Sequence, residues 1–223
     1  MKKIFLLLLL AVGVSVGRAQ AQQGEVVVGL RSGDNAMLGT FTALSVEAEY
    51  SSSEYFSMRG GVLYNTIKRG VVELRPEFFL DLNYSRISAQ FLFNYTHQNR
   101  VNNYAIGGGA MFDGRRVWAT LGYYYRVMTL AGDAIQEPFN IFYELGFRCF
   151  PGRERWDLNI IISNSRFFEL ERHYQPSLSA EAWWFPLKRL GVQVGATYKS
   201  AGAFNISSDY YQLYANVGVC YRW

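Results

Sequence analysis

The chain has 223 residues, with 22 Lys and Arg against 18 Asp and Glu and a formal charge of +4. Lys2, Lys3 and Arg18 supply three of those cations in a leader-like N-terminus, so 19 remain against 18 acids beyond it. That near-balance, with no basic block or basic helix, argues against a nucleic-acid partner.

The leader itself is legible. Lys2 and Lys3 precede an apolar run from Ile4 to Val16, and Ala19-Gln20-Ala21 supplies the small-x-small site of a signal peptidase. The run is too short for a permanent membrane helix, which takes about 20 residues. The expectation is a Sec-type signal peptide over 1–21, cut after Ala21, and one domain over 22–223. The first cysteine is Cys149, so no lipid-anchoring cysteine sits at the cut. Cys149 and Cys220 fall on non-adjacent predicted strands and opposite faces, which predicts free thiols.

Beyond the leader, aromatics (17% of the chain) and glycine (21 residues) are abundant, and no later apolar run is long enough to be a membrane helix. Mean hydropathy is near zero. A membrane protein looks this neutral only when apolar and polar residues alternate. Such alternation, broken by turn chemistry, predicts strands near 25–32, 38–50, 54–65, 71–81, 84–97, 103–112, 117–128, 138–150, 155–165, 174–185, 189–199 and 209–223. Most are long enough to cross a bilayer as tilted strands, which needs about 9–11 residues. Short links such as Ser51–Ser53 and Pro151–Glu154 alternate with longer ones, notably Thr129–Glu137, Ser165–His173 and Lys199–Ser208. Short periplasmic turns opposite longer outer loops are typical of membrane barrels.

The faces agree with the lengths. One parity carries aromatics near both strand ends: Phe78, Phe147, Trp156, Trp184 and Trp223 at one, Tyr64, Tyr104, Phe139 and Tyr198 at the other. Between them lie aliphatic residues such as Leu44, Val46, Leu121, Leu145, Ile160 and Val217. Two aromatic girdles around an aliphatic band fit a membrane-facing surface. A soluble β-sandwich would need polar outward faces instead. The fold class is therefore all-β: a transmembrane, antiparallel, up-and-down β-barrel of about 12 strands.

The opposite parity gives the interior: Arg31, Glu47, Glu49, Arg59, Glu73, Arg75, Glu77, Asp81, Arg86, Arg126, Glu144, Arg148, Asp157, Glu181 and Arg222. Arginine suits a crowded interior because its planar fork holds two carboxylates at once. Folding the hairpins about Ser51–Ser53 and Ile67–Lys68 predicts a ladder Glu47–Arg59–Glu77–Arg86. Glu47, Arg59, Glu73, Arg75, Glu77 and Arg86 are the candidate lining of a constriction. Two readings stand side by side: a cross-braced plug that stiffens the barrel, and a charged constriction that sorts small solutes. Gly107, Gly108 and Gly109 lie mid-strand with no following helix to cradle a phosphate. They read as room for a large neighbour such as Tyr124.

Catalytic and metal motifs are sparse. The two histidines, His97 and His173, sit near predicted outer strand ends, but neither has a serine where a Ser–His pair would need it. No HExxH, no CxxC and no ligand cluster with metal spacing occurs, so neither cofactor nor metal is expected. The patch Arg166–Arg172 is amphipathic and suits either a packed loop or contact with a partner or lipopolysaccharide headgroups.

The last stretch, Tyr211 to Trp223, alternates an apolar face (Tyr211, Leu213, Ala215, Val217, Val219, Tyr221, Trp223) with a polar or small one. It resembles the closing strand of bacterial outer-membrane β-barrels, where a terminal aromatic after alternating apolar residues is the insertion signal. With the leader, the short loops and the Tyr/Phe-rich strands, the chain resembles the small porin-like barrels of Gram-negative bacteria. The resemblance implies a non-enzymatic channel for small polar solutes in the outer membrane. A closed structural or assembly-partner barrel is the alternative, and a lipid-modifying enzyme the remote one. Implied partners are outer-membrane lipids, lipopolysaccharide and the barrel-assembly machinery, reached through the strand ending at Trp223.

Overall fold

The computed structural model describes residues 23–36, 39–53, 56–66, 71–84, 86–98, 101–130, 133–153, 155–166, 169–170, 175–200 and 210–223. The expected leader over 1–21 lies outside them, as does His173. Twelve strands form a closed antiparallel barrel: β1 (Gln23–Asn35), β2 (Gly39–Ser53), β3 (Phe56–Asn65), β4 (Val71–Tyr84), β5 (Ile87–Gln98), β6 (Val101–Asp113), β7 (Val117–Leu130), β8 (Asp133–Arg148), β9 (Trp156–Ser163), β12 (Ser177–Trp184), β13 (Leu190–Ser200) and β14 (Tyr210–Arg222). The short β10 (Ser165–Arg166) and β11 (Glu169–Leu170) pair only with each other.

Period-two alternation explains why these segments are strands and which way each faces. Outward side chains are apolar and bare, from Leu30, Leu44 and Phe91 to Leu121, Ile160 and Val217. A soluble protein does not expose apolar surface on this scale; a bilayer covers it. Aromatic pairs mark both rims of the band. Phe56 packs on Phe78 and Trp156 stacks on Trp184 at the end where β1 begins and β14 ends, while Tyr95 packs on Tyr104 at the other.

Closure is made by the last strand. β14 pairs with β1 from Glu25–Arg222 to Asn35–Gln212, and Trp223 N donates to Gly24 O at 3.0 Å beyond that ladder. The closed ring leaves no strand edge in the membrane, where unpaired backbone groups are costly.

Three departures from the expected outline have local causes. The stretch Thr129–Glu137 is not a long loop: β7 and β8 pair through to Leu130–Asp133. Pro138 and Phe139 stand together opposite Tyr125, forming a bulge that accommodates a residue with no N–H to give. β9 and β12 are only 8 residues each, against 16 for β8, and the β8–β9 ladder covers only Glu144–Arg148. Beyond that ladder Asn164 replaces a strand partner: its Oδ1 accepts from Tyr143 N at 2.8 Å and its Nδ2 donates to Ile141 O at 2.7 Å. Finally, Arg86 is not a strand residue; it occupies the exposed β4–β5 turn. Both cysteines are free thiols, as expected.

Candidate functional site: the barrel lumen

Twelve strands enclose more space than an eight-stranded barrel, which side chains fill, and less than a sixteen-stranded porin, which stays open. Interior side chains therefore decide what passes. They divide the lumen into two unlike halves.

The half walled by β4 to β8 is packed. Leu92, Ala105, Tyr124 and Phe142 form a buried cluster, with Tyr124 2% and Phe142 1% exposed. Glycine makes the space: Gly107 pairs with Tyr124 and Gly122 with Phe142, and a Cβ on either glycine would run into its partner. The same wall buries Glu73, Arg75 and Glu77 almost completely. Arg75 Nε lies 3.4 Å from Glu73 Oε1, and Asn94 Nδ2 donates to the same carboxylate. Pro76 follows Arg75, and the β4–β5 ladder skips both residues. The guanidinium reaches across the barrel, where Nη1 donates to Ser165 O at 2.8 Å. β5, β6, β7 and β8 separate the two partners around the wall, so this bond bridges the lumen.

The other half, walled by β12 to β14 and β1 to β3 and reached from β8 and β9 by Glu144 and Ile161, holds a cavity of about 250 Å³. Tyr214 lines it at one end; toward the other, Val27 and Trp183 line it beside Glu25, Glu49 and Arg59. Behind these lie two apolar clusters, Val27–Phe185–Cys220 and Phe41–Ala43–Leu63–Tyr214. The rest of the lining is largely charged: Glu25, Glu47, Glu49, Glu144 and Glu181 with Arg31 and Arg59. Arg31 Nη2 meets Glu47 Oε1 at 2.7 Å, and Arg59 Nε meets Glu49 Oε2 at 3.1 Å. Glu25 takes Arg222, whose guanidinium lies 3.8 Å from the centre of the Phe185 ring. Glu144 is held by a neutral donor, the Trp118 indole, at 2.7 Å.

The expected ladder is therefore redrawn. Arg59 stands opposite Glu49, not Glu47, because β2 runs on to Ser53 and the hairpin closes two residues further along. Across β3–β4 it faces Arg75 rather than Glu77. The two arginines avoid each other: Arg59 turns to Glu49 in the cavity, Arg75 to Glu73 and Ser165. Glu77 still bears electrostatically on Arg59, as does Glu144 from the far wall. Glu47 and Arg59 line the cavity, Glu73, Arg75 and Glu77 sit in the packed wall, and Arg86 joins neither.

Two lumen features lie outside the expected lining: Glu25, the third residue of β1, and the inward turn at Asn164–Ser165. The first follows from parity alone, because Glu25 shares the inward face of Arg31 within the expected strand 25–32. The second has no local signal, because Asn and Ser are ordinary turn residues. His97 Nδ1 is hydrogen-bonded to Asn102 Oδ1 at 2.9 Å, in an exposed position at the outer end of β5. Among the described residues no three His, Cys, Asp or Glu side chains are grouped to hold a metal ion.

No family model matches the chain, and no curated protein matches it. Solved structures do. The KdgM porin superposes with a TM-score of 0.62 at 11% identity, covering 88% of this chain and 98% of that one. The NanC porin gives 0.59 at 10% identity, over 89% and 98%. The translocator domain of the autotransporter NalP from Neisseria meningitidis gives 0.56 at 13%, over 100% and 96%. The fold is that of the outer-membrane β-barrels. At such identities the likeness carries wall and topology, not the lumen. The site is this chain's own.

Proposed function

We propose that the protein is a porin-like channel passing small polar solutes across the bacterial outer membrane. The observation that carries the reading is the charged cavity inside a barrel whose outside is apolar. Water and polar solutes gain a lined path there, and the hydrocarbon gains none. The fold's company supports it: KdgM and NanC are porins, and a KdgM structure holds oligogalacturonate. Similar barrels of that kind are channels rather than enzymes, and His97 has an asparagine partner instead of a nucleophile.

On this reading the leader over 1–21 directs export and is removed after Ala21. Outer-membrane lipids and lipopolysaccharide surround the apolar band. The barrel-assembly machinery takes up the strand ending at Trp223. Glu47 and Arg59 act as gate charges in the open half, while Glu73, Arg75 and Glu77 brace the opposite wall.

A second reading, a closed barrel, has one specific observation in its favour: the bond from Arg75 to Ser165 that bridges the lumen. Single-channel recording of the refolded, leader-free protein in a planar bilayer separates the two. Discrete conductance steps establish the channel. A silent bilayer, with the barrel verified as folded and inserted, establishes the closed form.

A further inference from the structure

The cavity has a sign. Its lining carries five glutamates and two arginines, and its ion pairs do not cancel the excess. Adding Arg222, which holds Glu25 at the rim, leaves the acids ahead. Adding the buried group across the lumen, Glu73 and Glu77 with Arg75, widens the margin. The hydrogen bond on Glu144 comes from the neutral Trp118 indole, which removes none of its charge. The cavity lies inside the barrel, where a cleft lined mainly by one sign of charge between low-dielectric walls focuses the field of its fixed charges. Arg31 over Tyr214 and Arg222 over Phe185 show that the surrounding rings already favour positive charge.

We propose that the lumen prefers cations: it admits small inorganic and amine-bearing cations and holds back anions. This rests on the channel reading and gives it a substrate class. It also separates the chain from the KdgM porin, whose structure contains oligogalacturonate, a polyanion. The shared wall is no guide to the solute. Glu144, Glu181 and Glu49 are the specificity-determining residues, since they reach one cavity from three different strands (β8, β12 and β2).

The test is the reversal potential of the refolded barrel in a KCl gradient, for wild type and for Glu144→Gln/Glu181→Gln. Glutamine keeps side-chain size and an oxygen for the Trp118 hydrogen bond, so the packing survives. The expected result is a potassium-over-chloride preference in wild type that falls roughly twofold or more in the variant. Equal permeabilities, a chloride preference, or a variant that matches wild type would each overturn the proposal. Ionic quenching of tryptophan fluorescence in micelles reads the charge without conduction, because Trp183 lines the cavity. The part of the signal lost in Trp183→Phe should be quenched more by caesium than by iodide, and less so in the double glutamine variant. A silent bilayer with that quenching pattern sinks the channel and keeps the charged cavity; the reverse order of quenchers sinks the cation preference itself.

Discussion

The two halves of the lumen are built by one rule and come out differently. Both take their inward residues from alternate positions, and both mix arginine, glutamate and aromatic rings. On the β4–β8 side, Gly107 and Gly122 admit the rings of Tyr124 and Phe142, and Glu73, Arg75 and Glu77 are almost completely buried. Across from them, Gly29, Ser45 and Asn216 line the wall beside the charges and leave a cavity of about 250 Å³. The lesson concerns what a charge does. Sealed away it is part of the packing, and removing it destabilises; beside water it sets a field, and removing it changes what the field attracts.

The largest effect should come from the packed half. Phe142→Ala removes a ring that is 1% exposed, and should cost about 3–5 kcal/mol in urea unfolding followed by fluorescence. A loss below about 1 kcal/mol would mean that this half is not packed as described. Arg75→Ala comes next. It leaves Glu73, 0% exposed, without that guanidinium, and breaking a buried pair in this way costs about 3 kcal/mol or more. It also removes the bridge to Ser165, so single-channel conductance should rise; unchanged conductance would show that the bridge does not restrict the path. Gly24→Val is third. The Trp223 indole occupies the space that a side chain at Gly24 would need, so closure of β1 on β14 should weaken by about 1–3 kcal/mol. Heat-modified mobility on gels reads it as a larger fraction of unfolded chain.

How far the sequence reaches follows the same division. Faces were legible, because a period of two forces every residue of a strand to choose lipid or lumen; Leu44, Leu121, Leu145, Ile160 and Val217 all point outward as expected. Strand number was legible because turn chemistry punctuates that period. Register was not. It depends on where a hairpin closes, and a difference of two residues at Ser53–Phe56 moved Arg59 from Glu47 to Glu49. Pro138 read as a strand start, but a bulge carried β8 past it. The least legible feature is the turn inward at Asn164. Its cause is tertiary: the side chain replaces ladder bonds to Tyr143 and Ile141 and so releases the main chain toward Arg75.

The smallest stability change carries the comparison furthest. Glu47→Gln breaks the pair with Arg31 at 2.7 Å, yet the two side chains are 27% and 13% exposed and face the cavity. Partly solvated pairs contribute little, so unfolding should shift by less than about 1 kcal/mol. The variant also subtracts one negative charge from the cavity while Arg31 stays. Ion selectivity should therefore move toward anions although the fold barely responds. Arg75→Ala should do the opposite and unsettle the fold first. Measured side by side, the two variants ask whether the halves differ in kind. If Glu47→Gln destabilises the barrel as much as Arg75→Ala, the cavity charges are packing too, and selectivity has to be sought at the barrel mouths.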